Sequence, residues 1–91
     1  ELMEAHYLFD APAEMLGACI HPQSLVHAML SLRDGSVLAH MSTPDMRLPL
    51  AYALHGGERP APACQALDIT SAGTLEFSPI DGSRYPMYGL A

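Results

Sequence analysis

The chain has 91 residues, nearly half of them apolar, and a net charge of −6, with four arginines and no lysine. That length fits one small domain or part of a larger one, and a core of this size is marginal without neighbours. The acidic balance excludes a surface that tracks a phosphate backbone, and the absence of an apolar run near about 18 residues excludes a membrane-spanning helix. No signal-peptide pattern opens the chain. Glu1 stands where a Met would start a complete protein and Ala91 lies in an apolar stretch, so both ends are expected to be cuts. Cys19 and Cys64 make no disulfide framework and are expected as reduced, buried thiols, which suits the cytoplasm.

In chain order, Glu1–Phe9 reads as the end of a helix, broken by Asp10-Ala11-Pro12, with one more helical turn over Pro12–Leu16. Gly17–His21 is a short apolar run, expected as a buried strand. Leu25–Arg33 and Ser36–Ser42 flank Asp34-Gly35 and predict a β-hairpin closed by a two-residue type I′ turn. That turn sets Leu32 opposite Val37, Leu30 opposite Ala39, Ala28 opposite Met41 and His27 opposite Ser42. One face then carries Val26, Ala28, Leu30, Leu32, Val37, Ala39 and Met41 and is expected to be buried; the other is mixed and places His27 and His40 near one end. Thr43–Met46 is a turn, and Pro49–His55 a helix stopped by Gly56-Gly57. The segment around Pro60 and Pro62 is a connecting loop. Thr74–Ser78 is a strand with Leu75 and Phe77 inward, Asp81–Tyr85 a turn, and Pro86–Ala91 the start of a helix. This order predicts an α+β fold with a mostly antiparallel sheet, a central β-hairpin and flanking helices.

His27 is the leading candidate for chemistry, because an imidazole on the mixed face beside Ser42 can exchange a proton near neutral pH. By position alone the favoured reading is a histidine hydrogen-bonded within the sheet. Met46 by itself reads as core filler, and Glu1 as an acidic residue at a chain end. Asp45 and Arg47 suit a local pair or cap. Cys19, His21, His27 and His40 match no standard zinc spacing. No P-loop, GxGxxG, GxSxG or HExxH pattern occurs.

Longer motifs change the weighting. Glu1-Leu2-Met3-Glu4-Ala5-His6-Tyr7-Leu8-Phe9, His21-Pro22-Gln23-Ser24-Leu25-Val26-His27-Ala28-Met29, Asp34-Gly35-Ser36-Val37-Leu38-Ala39 and Pro44-Asp45-Met46-Arg47 follow one another in order. Together they resemble the catalytic region of the 1-deoxy-D-xylulose 5-phosphate reductoisomerases. The resemblance implies a homodimeric, cytoplasmic, multidomain enzyme that converts that sugar phosphate to 2-C-methyl-D-erythritol 4-phosphate with NADPH and Mg²⁺ or Mn²⁺, in the non-mevalonate route to isoprenoids. It implies that residues 1–91 are a partial catalytic domain, lacking an upstream NADPH-binding domain and a downstream helical domain, and inactive alone. It assigns Glu1 as a metal ligand, His27 as a catalytic and substrate-binding residue, and Met46 as a residue contacting both substrate and nicotinamide. Leu48 departs from the family pattern, which has a helix-capping Thr there, a loss expected to cost about 1 kcal/mol. Two readings without the reductoisomerase remain: a stand-alone β-sheet association module with no catalysis, and a small histidine-rich metal binder.

Overall fold

The computed structural model describes residues 1–59, 61 and 64–90. The chain divides into two compact units: one comprises Glu1–Pro22 with the segment from Glu76 onward, the other Gln23–Leu75.

In the first unit, helix α1 spans Leu2–Phe9 and ends at Asp10, whose φ of 50° is left-handed. Asp and Asn are among the few side chains that tolerate that conformation at a helix end. Pro12 then resets the chain to extended backbone, and a single 3₁₀ turn follows at Ala13–Met15. Strand β1 is only Cys19–Ile20. It pairs antiparallel with β4, Ser78–Pro79, through Cys19 opposite Pro79 and Ile20 opposite Ser78. The expected strand Gly17–His21 is thus shortened to two residues, and of the expected strand Thr74–Ser78 only Ser78 is in β4, with Phe77, expected to face inward, exposed; β1 is not buried either, Cys19 being exposed and Ile20 half-buried. His21 closes the short ladder. Its Nδ1 lies 2.9 Å from the Glu76 carbonyl oxygen, and its ring stacks on Phe77 at 4.5 Å with an interplanar angle of 11°. Asp81 organises the next turn by accepting from the Ser83 amide at 2.9 Å and the Ser83 hydroxyl at 2.7 Å. Pro86–Leu90 is a 3₁₀ segment rather than an α-helix; Ala91, included in the expected helix, lies outside the described residues.

In the second unit, β2 (Val26–Ser31) and β3 (Val37–Met41) form the expected antiparallel hairpin. The register differs from the expectation by one residue: Ser31 faces Val37, Leu30 faces Leu38, Met29 faces Ala39 and Ala28 faces His40. The cause is the loop. Leu32 donates to the Ser36 carbonyl at 2.8 Å and Gly35 to the Leu32 carbonyl at 3.1 Å, so three residues, Arg33-Asp34-Gly35, turn the chain. A type I′ turn needs positive φ at both central residues, whereas here Gly35 alone has it, at 90°. Asp34 instead spends its carboxylate on the Ser36 amide at 2.9 Å and on the Ser36 hydroxyl. Those bonds hold the Asp34 carboxyl below its ordinary pKa, the hydroxyl bond contributing most.

A slip of one residue exchanges the faces of β3 against β2. Ala28 and Leu30 now share a face with Leu38 and His40, and Met29 and Ser31 share the other with Val37 and Ala39. Neither face is covered by the described residues: Leu30 and Leu38 are 60% and 59% exposed on one, Met29 and Val37 50% and 53% on the other. The expectation of a buried apolar face is therefore not met, and among the described residues no apolar side chain is buried. The cysteines are free but not buried, Cys64 being half-exposed.

Helix α2 spans Arg47–Leu54 with Pro49 in its first turn, and Gly56 and Gly57, at φ 64° and 89°, end it. Leu48 lies inside the helix, so the cap loss expected at that position does not arise; the capping carboxylate comes from Asp45, described below. A 3₁₀ turn at Ile69–Ser71, not anticipated from the sequence, is capped by Asp68, which accepts from the Thr70 amide at 3.0 Å and the Ser71 hydroxyl at 2.8 Å. The expected loop at Pro60 and Pro62 lies outside the described residues.

Candidate functional site

His27 sits at the one irregularity of the hairpin. Val26 faces Met41 and Ala28 faces His40, so β2 has one residue more than β3 at this point, and that residue is His27. Such a bulge bends its strand and re-aims the extra side chain. The bulge carries the imidazole toward the end of β3, where His27 Nε2–H donates to the Ser42 carbonyl at 3.2 Å. Ser42 itself is 8% exposed and its amide donates to the Leu25 carbonyl at 3.0 Å, so both backbone polar groups of this residue are used by the start of β2. Residue 27 as a whole remains exposed. The His40 ring lies with its centroid 6.4 Å from that of His27. The sequence expectation of His27 beside Ser42 is met in space, but through a side chain-to-backbone bond at a bulge rather than through ladder pairing.

Downstream of Ser42 the chain is tightly tied. Thr43 donates its hydroxyl to the Gln65 carbonyl at 3.0 Å, and Cys64 Sγ lies 3.7 Å from Thr43 Oγ1. The Asp45 amide donates to the Thr43 carbonyl at 2.8 Å. Asp45 Oδ1 accepts from the Arg47 amide at 2.9 Å, capping α2, while the Arg47 guanidinium grips both carboxylate oxygens, Nη2 at 2.6 Å. A forked, charge-assisted pair of this kind fixes orientation as well as distance. The Arg47 side-chain and backbone hydrogen bonds bring the Asp45 carboxyl down to about 2. Met46 lies between these partners at the N-cap of α2, with its side chain 70% exposed. It is therefore not core filler in this unit. The local capping role of Asp45 and Arg47, one of the two roles their spacing suited, is present together with the pair.

Glu1 belongs to the other unit. It is the N-cap residue of α1, where its carbonyl accepts from the Ala5 amide at 2.8 Å while its carboxylate makes no capping bond. Its carboxylate is exposed. A hard divalent ion takes oxygen donors, so Glu1 suits Mg²⁺ or Mn²⁺ in kind, but a single carboxylate is one ligand of a set. Among the described residues no group of three or more His, Cys, Asp or Glu side chains converges to hold a metal. His27 and Met46 share a unit; Glu1 does not share it with them.

The second unit also has an apolar cleft of about 270 Å³ lined by Met41, Thr43, Leu48, Tyr52, Arg59 and Cys64 among others, and neither His27 nor Met46 lines it. It lies between the end of β3 with the turn after it, α2 and the segment that follows α2, so Ser42 borders it while His27 and Met46 do not. Two contributors went unseen in the sequence: the backbone carbonyl of Ser42, which no motif marks, and the bulge, which depends on a loop length that Asp34-Gly35 leaves open.

The family described as DXP reductoisomerase C-terminal domain matches residues 41–91. Among curated proteins, the 1-deoxy-D-xylulose 5-phosphate reductoisomerase of Thermomicrobium roseum is 53% identical over 91 residues, covering 100% of this chain and 24% of that protein. The enzyme of the same name from Cupriavidus taiwanensis is 52% identical over 91 residues, 100% of this chain and 23% of its own length. The chain thus spans about a quarter of the length of these relatives. Among solved structures, the reductoisomerase from Zymomonas mobilis in complex with NADPH superposes with a TM-score of 0.88 at 37% identity, over 98% of this chain and 24% of that one. A DOX-P reductoisomerase in complex with NADPH, fosmidomycin and magnesium gives a TM-score of 0.90 at 38% identity, over 98% of this chain and 22% of that one. Among the described residues no helix is long and apolar enough to cross a membrane.

Proposed function

The chain belongs to the DXP reductoisomerase family, and from that membership we propose that it is part of the catalytic domain of a cytoplasmic enzyme converting 1-deoxy-D-xylulose 5-phosphate to 2-C-methyl-D-erythritol 4-phosphate. In this reading residues 1–91 are one portion of a larger multidomain protein, with an NADPH-binding domain before them and a helical domain after them, and the whole protein is a homodimer. Relatives of the same name crystallise with NADPH and with magnesium. When bound, NADPH supplies the hydride and the divalent ion polarises the substrate's carbonyl and hydroxyl oxygens.

The residues of this chain have the remaining tasks. His27 contacts and orients the substrate and can exchange a proton with it. Met46 packs a soft apolar surface beside substrate and nicotinamide. Glu1 contributes one oxygen ligand to the metal, the others coming from parts of the protein beyond these residues. The observation that carries the reading is the His27 imidazole itself: exposed, set out of its ladder by a bulge, and tied at one nitrogen to the buried Ser42. A histidine serving only the sheet would need no bulge.

The test is His27→Gln in the full-length protein. Turnover should fall by about 10²-fold, or roughly 2.7 kcal/mol of transition-state stabilisation. A wild-type rate would remove His27 from the site. The isolated 91 residues should oxidise no NADPH in the presence of substrate and Mn²⁺; turnover by them alone would overturn the division of labour proposed here.

A further inference from the structure

We propose that the Ser42 backbone carbonyl selects the working tautomer of His27, so that Nδ1 is the atom turned to the substrate. The proposal rests on His27 lying in the site. A carbonyl oxygen has lone pairs and no proton, so a hydrogen bond between it and an imidazole nitrogen requires the proton on that nitrogen. His27 Nε2 is 3.2 Å from the Ser42 oxygen with the geometry of a ring N–H donor. A neutral imidazole has one N–H, and with it placed on Nε2 the lone pair belongs to Nδ1.

The acceptor is well placed to enforce this. Ser42 is 8% exposed, whereas the hairpin residues around it are exposed or half-buried. A carbonyl in such a place loses its water partner and gains more from a fixed donor than a solvated one would. Its position does not drift, because the Ser42 amide is held by the Leu25 carbonyl at 3.0 Å on one side and the next residue, Thr43, is held through its hydroxyl to the Gln65 carbonyl at 3.0 Å on the other. The bulge is what makes the bond possible. In an unbroken ladder residue 27 would pair along the strand; as the extra residue it can reach back over the end of β3.

This arrangement makes Ser42 a positioning residue that acts through its main chain. It follows that side-chain substitution at position 42 leaves the tautomer in place, and that a histidine at position 27 is held for one-sided work: Nε2 as a fixed donor to the protein, Nδ1 as acceptor from, or proton carrier to, the substrate. His40, 6.4 Å away between centroids, is a neighbouring imidazole with no part in the hold.

The experiment is nitrogen-detected NMR on the full-length protein with ring-¹⁵N histidine, the His27 signals being assigned by their loss in His27→Gln. Above the imidazole's titration, Nε2 should resonate as a protonated, pyrrole-type nitrogen and Nδ1 as an unprotonated, pyridine-type one. Addition of 1-deoxy-D-xylulose 5-phosphate without NADPH should shift Nδ1 and leave Nε2 in place. The reverse tautomer, an average of the two, or a substrate-induced shift confined to Nε2 overturns the proposal. The kinetics separate it from the broader reading. A reversed tautomer in an enzyme that His27→Gln inactivates defeats this proposal alone, whereas wild-type turnover in His27→Gln defeats both.

Discussion

Replacing Gly35 by alanine tests the loop geometry that shifts the hairpin register. Gly35 has a φ of 90°, and an added Cβ there would meet no atom within 4 Å. The cost is therefore conformational and not steric. A left-handed conformation costs an L-residue roughly 1–2 kcal/mol, and the reduced freedom of the unfolded chain returns about 0.4–1 kcal/mol of it. The net destabilisation is about 1 kcal/mol, or roughly a fivefold rise in the population of the opened hairpin. Native-state amide hydrogen exchange in the full-length protein reads this directly, since it resolves local opening where a global melt would average over domains. The Leu32 amide, bonded to the Ser36 carbonyl at 2.8 Å, and its ladder neighbours should exchange about five times faster in Gly35→Ala. Gly35→Asn should do less, because Asn tolerates positive φ. Asp34→Gly should also speed exchange, since it removes the bonds that Ser36 donates to the Asp34 carboxylate. The reasoning fails if Gly35→Ala leaves protection unchanged, or if Asp34→Gly slows exchange. The latter is what a two-residue type I′ turn would give, by relieving Asp34 of positive φ.

Three further outcomes are expected. The Asp45 carboxyl, held at about 2 against an ordinary 3.8, makes its junction with α2 pH-dependent. The ionised form is favoured in the folded state, so the contribution is complete above about pH 4 and is lost as pH falls toward 2; an NMR titration of the Asp45 carboxylate with a midpoint near 4 would contradict it. His21→Ala removes both the Phe77 stack and the bond to the Glu76 carbonyl, which should cost about 1–3 kcal/mol and raise exchange at the β1–β4 pair, with unchanged protection as the contrary result. Leu30 and Leu38 share an exposed face, so the isolated 91 residues should self-associate and Leu38→Lys should reduce that association; light scattering showing a monomer before the substitution would refute the expectation.

Local chemistry and tertiary context divide this protein in a way that particular residues make plain. Asp10-Ala11-Pro12 ends α1, Pro49 falls in the first turn of α2 and Gly56-Gly57 follows its end, and Asp34-Gly35 brings β2 back as β3: each is a decision taken within a few residues, by a fixed φ, a missing N–H or a tolerated positive φ, and each was legible in the sequence, although α2 begins at Arg47, two residues before the expected start. The ordered motifs around His27 and Met46 likewise pointed to the family that residues 41–91 match. What no local pattern could decide was the register, because an Asp-Gly pair serves a two-residue and a three-residue loop alike, and the choice rested on where Asp34 placed its carboxylate. The β1–β4 pairing joins Cys19 to Pro79 and Ile20 to Ser78, a contact that only the folded chain can bring about. The buried acceptor at Ser42 that receives His27 is of the same kind: a main-chain oxygen carries no sequence signature, and its role emerges only when a bulge lets a side chain reach it. Residue types set which groups could act and where the chain would turn; the three-dimensional arrangement set which of them meet, because pairing across distance depends on loop length and register and not on the identity of the residues paired.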